Sequence, residues 1–330
     1  MSNILITGGA GFIGYHLSSF HVKRNDKVYI LDNLSRTNDK NFNNLKKNKN
    51  VFFYKCDLTI KQKSLKSKLP KKIDIIYHLA AINGTHLFYD IPYELCRSNL
   101  LITINFLDLI SNIKISKFLY SSSSEIYANS EKLGLVKYPT DEKVISAYSF
   151  PLNPRLSYGI SKFTGEFLIN SYCKKFKISH SIVRYHNIFG ERMGYRHVIP
   201  ELIYKINKNN QLLKLYGSKE TRSFCYIDDA VKATYLVAKK SSKKGNLIHI
   251  GNNKNEILIK ELAKKIIMIM NLKTKIISIG KKSLSVNRRK PSTNKLFKLT
   301  GFKSSISLQE GLEKTILWYQ KDLIDKSKKI

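Results

Sequence analysis

Short, mostly apolar runs recur along the first 250 residues, with helical stretches between them. Ile4-Leu5-Ile6, Val28-Tyr29-Ile30-Leu31, Val51-Phe52-Phe53-Tyr54, Asp74-Ile75-Ile76-Tyr77, Lys117-Phe118-Leu119-Tyr120 and His180 to Tyr185 are the runs. Runs of this length with little polar alternation predict strands buried on both faces, the habit of a parallel sheet. Between them, helices are predicted from Phe12 to about Lys23, from Pro92 to about Ser111 and from Ser157 to about Lys175. The second has apolar positions at Leu95, Leu100, Ile104, Leu107, Leu109 and Ile110. Strand and helix in alternation predict a doubly wound α/β sheet. Past residue 185 the rhythm breaks into shorter elements. A late strand is expected at 247–252, an amphipathic helix over Glu256–Met270 and a terminal helix around Leu308–Tyr319. The organisation expected is a nucleotide-cofactor domain over 1–185, rejoined by about 220–250, with 186–330 mainly a smaller substrate-binding α/β lobe.

Polar chemistry gathers where the predicted strands end. After the first strand comes Thr7-Gly8-Gly9-Ala10-Gly11-Phe12-Ile13-Gly14, a strand–turn–helix in which glycines allow a sharp turn, close backbone approach and tight helix packing. A helix N-terminus there offers free N–H groups to a pyrophosphate. Gly8, Gly11, Phe12, Ile13 and Gly14 are therefore candidate dinucleotide contacts. Asp32 closes the second strand, where a carboxylate suits ribose hydroxyls and repels a further phosphate, which favours NAD over NADP; Arg36 nearby pulls the other way. Asp57 closes the third strand, as an adenine contact or a helix cap. His78-Leu79-Ala80-Ala81 comes after the fourth, its small residues permitting close approach, with His78 more in keeping with structure than catalysis. Asn99 is an internal amide on an apolar helix. Ser121 to Ser124, then Glu125-Ile126-Tyr127, ends the fifth. Tyr158 and Lys162 stand one helical turn apart. An ammonium at that spacing, with a nicotinamide cation nearby, is expected to lower the phenol's pKa and make it a base. Downstream, Asp228 or Asp229 is the expected N-cap of a helix, and Arg288-Arg289-Lys290 is either a solvated charge run or a phosphate clamp.

Composition changes this picture little. Hydrophobic residues are 42% of the 330, a globular value. The net charge of +34, from 58 Lys+Arg against 24 Asp+Glu, raises a nucleic-acid-binding reading. The excess is mostly lysine and runs along the whole chain without a basic tail, so solvated faces account for it better, and no nucleic-acid partner is expected. Cys56, Cys96, Cys173 and Cys225 form no CxxC pair, so no metal is expected and free thiols are. No apolar run approaches the roughly 20 residues of a membrane span. A soluble cytoplasmic protein without a membrane partner is the expectation.

Taken together, Gly8 to Gly14, Asp32-Asn33-Leu34, Asp57-Leu58, His78-Leu79-Ala80-Ala81, the 121–127 serine run, Tyr158 with Lys162, Arg184-Tyr185-His186-Asn187, Gly217 to Asp229 and Arg289-Lys290-Pro291 resemble the extended short-chain dehydrogenase/reductase family, in particular its nucleotide-sugar epimerases and dehydratases. The resemblance implies a Rossmann-type fold, bound NAD, a nucleotide-sugar substrate, sugar-nucleotide or surface-polysaccharide biosynthesis, and a homodimer. It implies cofactor contacts at Asn33, Leu58, Leu79, Ala80, Ala81 and Asn99 beside those above. Tyr158 would be the base, Lys162 would orient the nicotinamide ribose, and Ser123 would hydrogen-bond the sugar's 4-hydroxyl. Asn187, Arg222 and Arg288 or Arg289 would hold the nucleotide diphosphate. The reaction would begin by oxidising C4. Ser124 and Glu125 would decide the second step: 4-epimerisation, 4,6-dehydration with Glu125 removing the C5 proton, or decarboxylation of a UDP-glucuronate. A nucleic-acid-binding protein or a non-catalytic NAD-binding regulator are the rivals from other classes, and neither needs Ser123, Tyr158 and Lys162 together.

Overall fold

The computed structural model describes residues 1–36, 39–254, 256–280 and 286–327. Its centre is a seven-stranded parallel sheet. In chain order its strands are β1 (Asn3–Thr7), β2 (Lys27–Asp32), β3 (Val51–Lys55), β4 (Lys72–His78), β5 (Lys114–Ser123), β6 (Ser179–Tyr185) and a last strand, Asn246–Ile250. In space the order is Asn246–Ile250, β6, β5, β4, β1, β2, β3. The chain crosses outward from β1 to β3, returns to β4 and crosses outward the other way. Ile4, Leu5 and Ile6 have no exposed surface, and successive residues feed opposite cores: Ile4 and Ile6 pack with Phe42 and Val183, Leu5 with Phe106 and Phe118. This is why the strand runs read as continuous rather than alternating.

Helices cover both faces. Phe12–Lys23 lies against β1 and β2, and the helices Pro92–Leu109 and Leu156–Lys175 pack on each other. Gly165 lets the latter sit close: a Cβ there would come 2.0 Å from the Tyr120 hydroxyl on β5. Beyond β6 a three-stranded sheet forms from Thr221–Ser223, Glu256–Leu258 and Arg288–Arg289. Among the described residues no helix is long and apolar enough to cross a membrane.

Three local expectations are corrected. Glu256–Leu258 is a strand, paired antiparallel with Thr221–Ser223, and the helix begins only at Ile259. Glu256 is drawn out of the helix by hydrogen bonds from Thr221 and Arg288 at 2.6 Å each. The helix Ile227–Lys239 starts after Tyr226, so neither Asp228 nor Asp229 caps it. Asp229 instead accepts hydrogen bonds from the Ser305 and Ile306 backbone, tying the helix to a distant loop. The terminal helix runs from Leu308 to Ser327, longer than expected.

Candidate active site

Every strand of the sheet ends at the same edge, and the candidate residues converge there. Gly8 has φ of +69° and donates its N–H to the Leu31 carbonyl at 2.8 Å, folding the turn across β2. A Cβ on Gly8 would come 2.9 Å from the Ala80 backbone, and one on Gly14 2.1 Å from the Gly8 carbonyl oxygen. Both glycines are thus demanded by the protein's own packing. Gly11 differs: its Cβ would meet only the Gly8 oxygen, at 3.2 Å, so its outer side is open. Gly11 also begins the helix Phe12–Lys23 with no side-chain cap, leaving first-turn N–H groups unclaimed by one. Asp32 braces this turn, its two oxygens accepting from Ala10 and Leu34 backbone N–H groups at 3.0 and 2.8 Å. Thr7 Oγ1 receives the N–H groups of Leu79 and Ala80, both at 3.1 Å, and lies 2.7 Å from buried His78 Nδ1. His78 is enclosed and held neutral by burial, down to about 3.

Asp57, Asn33 and Asn99 have internal duties. Asp57 accepts from the Thr59 N–H and hydroxyl; burial pushes its carboxyl up, but these bonds and the nearby Asn33 leave it below its ordinary value. Leu58 is buried and its carbonyl accepts from Asn105. Asn99 pairs with both backbone groups of Ile82 and donates to Ser161 Oγ at 3.1 Å, fastening the loop after β4 to the helix that carries Tyr158.

On that helix Tyr158 and Lys162 are buried on one face. The Tyr158 ring stacks on Phe88 with centroids 5.3 Å apart, and Ser123 at the end of β5 lies near its hydroxyl. Lys162 Nζ lies 4.8 Å above the Tyr120 ring. The expected lowering of the phenol's pKa by Lys162 is not what the protein alone provides. Burial pushes Tyr158 well up, the Glu125 charge adds to this, and Arg36 and Ser123 only oppose it. Burial also brings Lys162 down to about 7, with Glu166 resisting, which weakens the ammonium that was to do the lowering.

Glu125 follows the serine strand and is gripped by two arginines: Arg289 Nη2 lies 2.6 Å from one oxygen and Arg155 Nη2 3.0 Å from the other. Burial pushes its carboxyl up, but the two guanidinium groups prevail and hold it below its ordinary value. Arg289 Nη1 also donates to Ser124 Oγ at 3.2 Å. The strand Arg288–Arg289 sends alternate side chains to opposite sides. Arg288 therefore forks onto Glu256, so of the two candidates only Arg289 bonds Glu125. Arg222 spends its donors on Glu220 and the Val286 and Asn287 carbonyls, and Asn187 donates to the Ser223 carbonyl. Both brace the loop that presents Arg289; Arg222 adds its charge near Glu125, and burial followed by the Arg289 charge brings it down to about 10.

Residues 4–251 match the model of the NAD dependent epimerase/dehydratase family. The chain belongs to this family. It is 33% identical to a dTDP-D-glucose 4,6-dehydratase of Dictyostelium discoideum, over 97% of this chain and 82% of that protein. It is 32% identical to a UDP-N-acetyl-alpha-D-glucosaminuronate decarboxylase of Bacillus cytotoxicus, over 96% and 97%. Among solved structures it is similar to a UDP-glucuronic acid 4-epimerase from Bacillus cereus in complex with UDP-glucuronic acid and NAD, with a TM-score of 0.83, 27% identity, and 97% and 99% of the two chains covered. The family is an enzyme family and its cofactor is NAD, which the open side of Gly11 and the uncapped helix behind it fit.

Two features of this epimerase/dehydratase site escaped the sequence. Arg155 lies three residues before Tyr158, and a cation at a helix N-terminus opposes the helix dipole, a usable signal. The other is His186, carried in the sequence only within the Arg184-Tyr185-His186-Asn187 motif, which lines a cavity with Ser124 and Arg289.

Proposed function

We propose that this chain oxidises a nucleotide sugar at C4, with Tyr158 as base, Ser123 as the partner of the 4-hydroxyl and Lys162 as the anchor of the cofactor ribose, and that Glu125 steers the second step. The observation that supports this is the convergence of Ser123, at the end of β5, with buried Tyr158 and Lys162 at the sheet edge where the glycine turn also lies. NAD, when bound, supplies the hydride acceptor. Tyr158 takes the hydroxyl proton and later returns it; Ser123 keeps the sugar oxygen on the tyrosine. A ketone at C4 acidifies the C5 hydrogen, and Glu125, kept ionised by Arg155 and Arg289, is placed to remove it. The leading reading is therefore an epimerase/dehydratase that works through a 4-keto sugar, with Asn187, Arg222 and Arg289 on the diphosphate side.

One observation favours a second reading, decarboxylation. Two guanidinium groups surround one carboxylate, so the pocket holds one positive charge more than Glu125 balances. A uronate's C6 carboxylate is an anion of suitable charge. Once C4 is a ketone that carboxylate lies β to it and can leave as carbon dioxide, the resulting enolate taking up a proton. A homodimer belongs to the same proposal: the paired helices Pro92–Leu109 and Leu156–Lys175 expose Ile104, Phe163 and Phe167, an apolar face suited to a second copy. So does a cytoplasmic place in sugar-nucleotide or surface-polysaccharide biosynthesis.

The test is turnover followed by mass spectrometry on UDP-, dTDP-, GDP- and CDP-sugars, UDP-glucuronate among them. Loss of water names the dehydratase, loss of carbon dioxide the decarboxylase, and unchanged mass with a new sugar signal by NMR the epimerase. Turnover that survives Tyr158→Phe would overturn the assigned base.

A further inference from the structure

Past β6 the backbone turns through three left-handed residues, Asn187, Gly190 and Arg192, with φ of +45°, +152° and +65°. Glycine adopts such angles freely. An arginine seldom does, and holds them only where the surrounding structure dictates the backbone. At Arg192 the chain sends the side chain back onto the glycine turn after β1, where it is 1% exposed. Nη2 donates to the Ala10 carbonyl at 3.3 Å. Nε and Nη2 lie 2.9 and 2.7 Å from Oδ2 of Asp39. The guanidinium carbon sits 3.8 Å from the centre of the Tyr15 ring, on the helix Phe12–Lys23.

Ala10 is thereby held from both sides, its N–H by Asp32 and its carbonyl by Arg192. That carbonyl belongs to the peptide bond entering Gly11, the residue whose outer side is open and which begins the uncapped helix. Asp39 uses its other oxygen to accept the Phe42 N–H at 2.9 Å and so caps the short helix Lys40–Leu45. One guanidinium therefore ties together the glycine turn, the helix behind it and the helix that Asp39 caps. A planar fork with a flat face can serve three such partners at once; a lysine ammonium cannot. The residue before it is fixed in turn. The Glu191 carboxylate accepts from the Tyr226 hydroxyl at 2.6 and 2.8 Å, and its carbonyl lies 3.1 Å from His16 Nε2.

We infer that Arg192 is a positioning residue for the cofactor: acting through the Ala10 carbonyl and Asp39, it fixes the glycine turn and so sets the affinity for the adenosine diphosphate half of NAD. The inference depends on the cofactor alone and stands whichever nucleotide sugar is the substrate.

The experiment titrates NAD and ADP-ribose calorimetrically into the full-length chain freed of nucleotide, and into Arg192→Met, Arg192→Lys and Asp39→Asn. Melting temperatures are recorded without ligand. Arg192→Met should weaken NAD and ADP-ribose by one common factor of about 10- to 100-fold, because the loss lies in the half that the two ligands share. Arg192→Lys should recover little of it, since the charge returns without the fork. Asparagine also caps helices, so Asp39→Asn should leave the melting temperature near that of the parent while weakening both ligands by a smaller common factor. Should Arg192→Met fail to fold, the other two variants decide. Parent-like affinity for ADP-ribose in both Arg192→Lys and Asp39→Asn overturns the inference and leaves Arg192 a link between packed elements, whatever the melting temperatures. A loss for NAD without a loss for ADP-ribose also overturns it, by moving the effect to the nicotinamide half.

Discussion

Two glutamates 41 positions apart in sequence, Glu166 buried and Glu125 half-buried, are each held by arginine, yet in opposite manner. Glu166 meets Arg184 alone. The pair is bidentate, at 2.8 and 2.7 Å, joins a helix to the strand beside it, and has side chains 9% and 4% exposed. Arg184 completes its bonding with the Tyr127 hydroxyl. Glu125 is shared between Arg155, on a turn 30 residues away, and Arg289, on a short strand 164 residues away, and the Nε of Arg155 is left without a partner among the described residues. The first cluster is balanced in charge and closed; the second carries surplus charge and an open valence. A closed pair can only hold the frame together. An unbalanced one can answer to an incoming ligand, and it stands at the strand edge where the ligand would arrive.

Breaking each cluster should therefore cost different things. Arg184→Met strands Glu166 without a counter-charge and should lower stability by about 3–5 kcal/mol. Urea unfolding measures it, and a loss under about 1 kcal/mol would erase the distinction. Arg289→Met leaves Glu125 with Arg155. Its expected effect is on rate, with kcat down by about 10²–10³-fold, as for the loss of one preorganised donor, and the unfolding midpoint little changed. A fall in stability matching that of Arg184→Met would show that both clusters are frame.

Glu125→Gln sharpens the contrast further. It should cut turnover by about 10²-fold in a dehydratase, by removing the C5 base, and spare a pure epimerase. In a decarboxylase it should change KM for the uronate more than kcat, since both arginines are freed for the substrate. A last effect concerns pH. Lys162 is near 7 when folded against about 10.4 unfolded. Between those values the unfolded chain holds the proton and the folded chain does not, so stability contributed by this group should rise with pH from about 7 to about 10. In Lys162→Met that rise should flatten, as measured by urea midpoints across the range; an unaltered profile would contradict the depressed lysine.

The frame was easier to read from the chain than the second cluster. β1, β2, β4 and β6 announce themselves as apolar runs because both faces are buried, and the glycine turn is legible because Gly14 packs on the Gly8 carbonyl in its own segment. The Tyr158/Lys162 pair is local, one turn of one helix. Arg289 could be narrowed only to one of two neighbours, since the choice depends on which side of a two-residue strand faces Glu256. That strand has too few residues for any period to show. The strand on the far side of the small sheet, Glu256–Leu258, was hidden by the strong helical pattern just after it, where tertiary hydrogen bonds overrode local preference. His186 was legible only as a member of the Arg184-Tyr185-His186-Asn187 motif, because an unmet hydrogen bond is a property of the surroundings of a residue.

The route by which Arg289 reaches the pocket has a consequence for biosynthesis. Six of the seven sheet strands and the Tyr158 helix precede residue 186, whereas Arg289 lies on a short strand held against Thr221–Ser223 and by Glu131, which accepts the N–H groups of Asn287 and Arg288. A ribosome delivers these parts in that order. The cofactor half is thus complete as polypeptide well before Glu125 meets its second arginine, and during that interval a nascent chain would have a place for the dinucleotide but an unfinished one for the sugar.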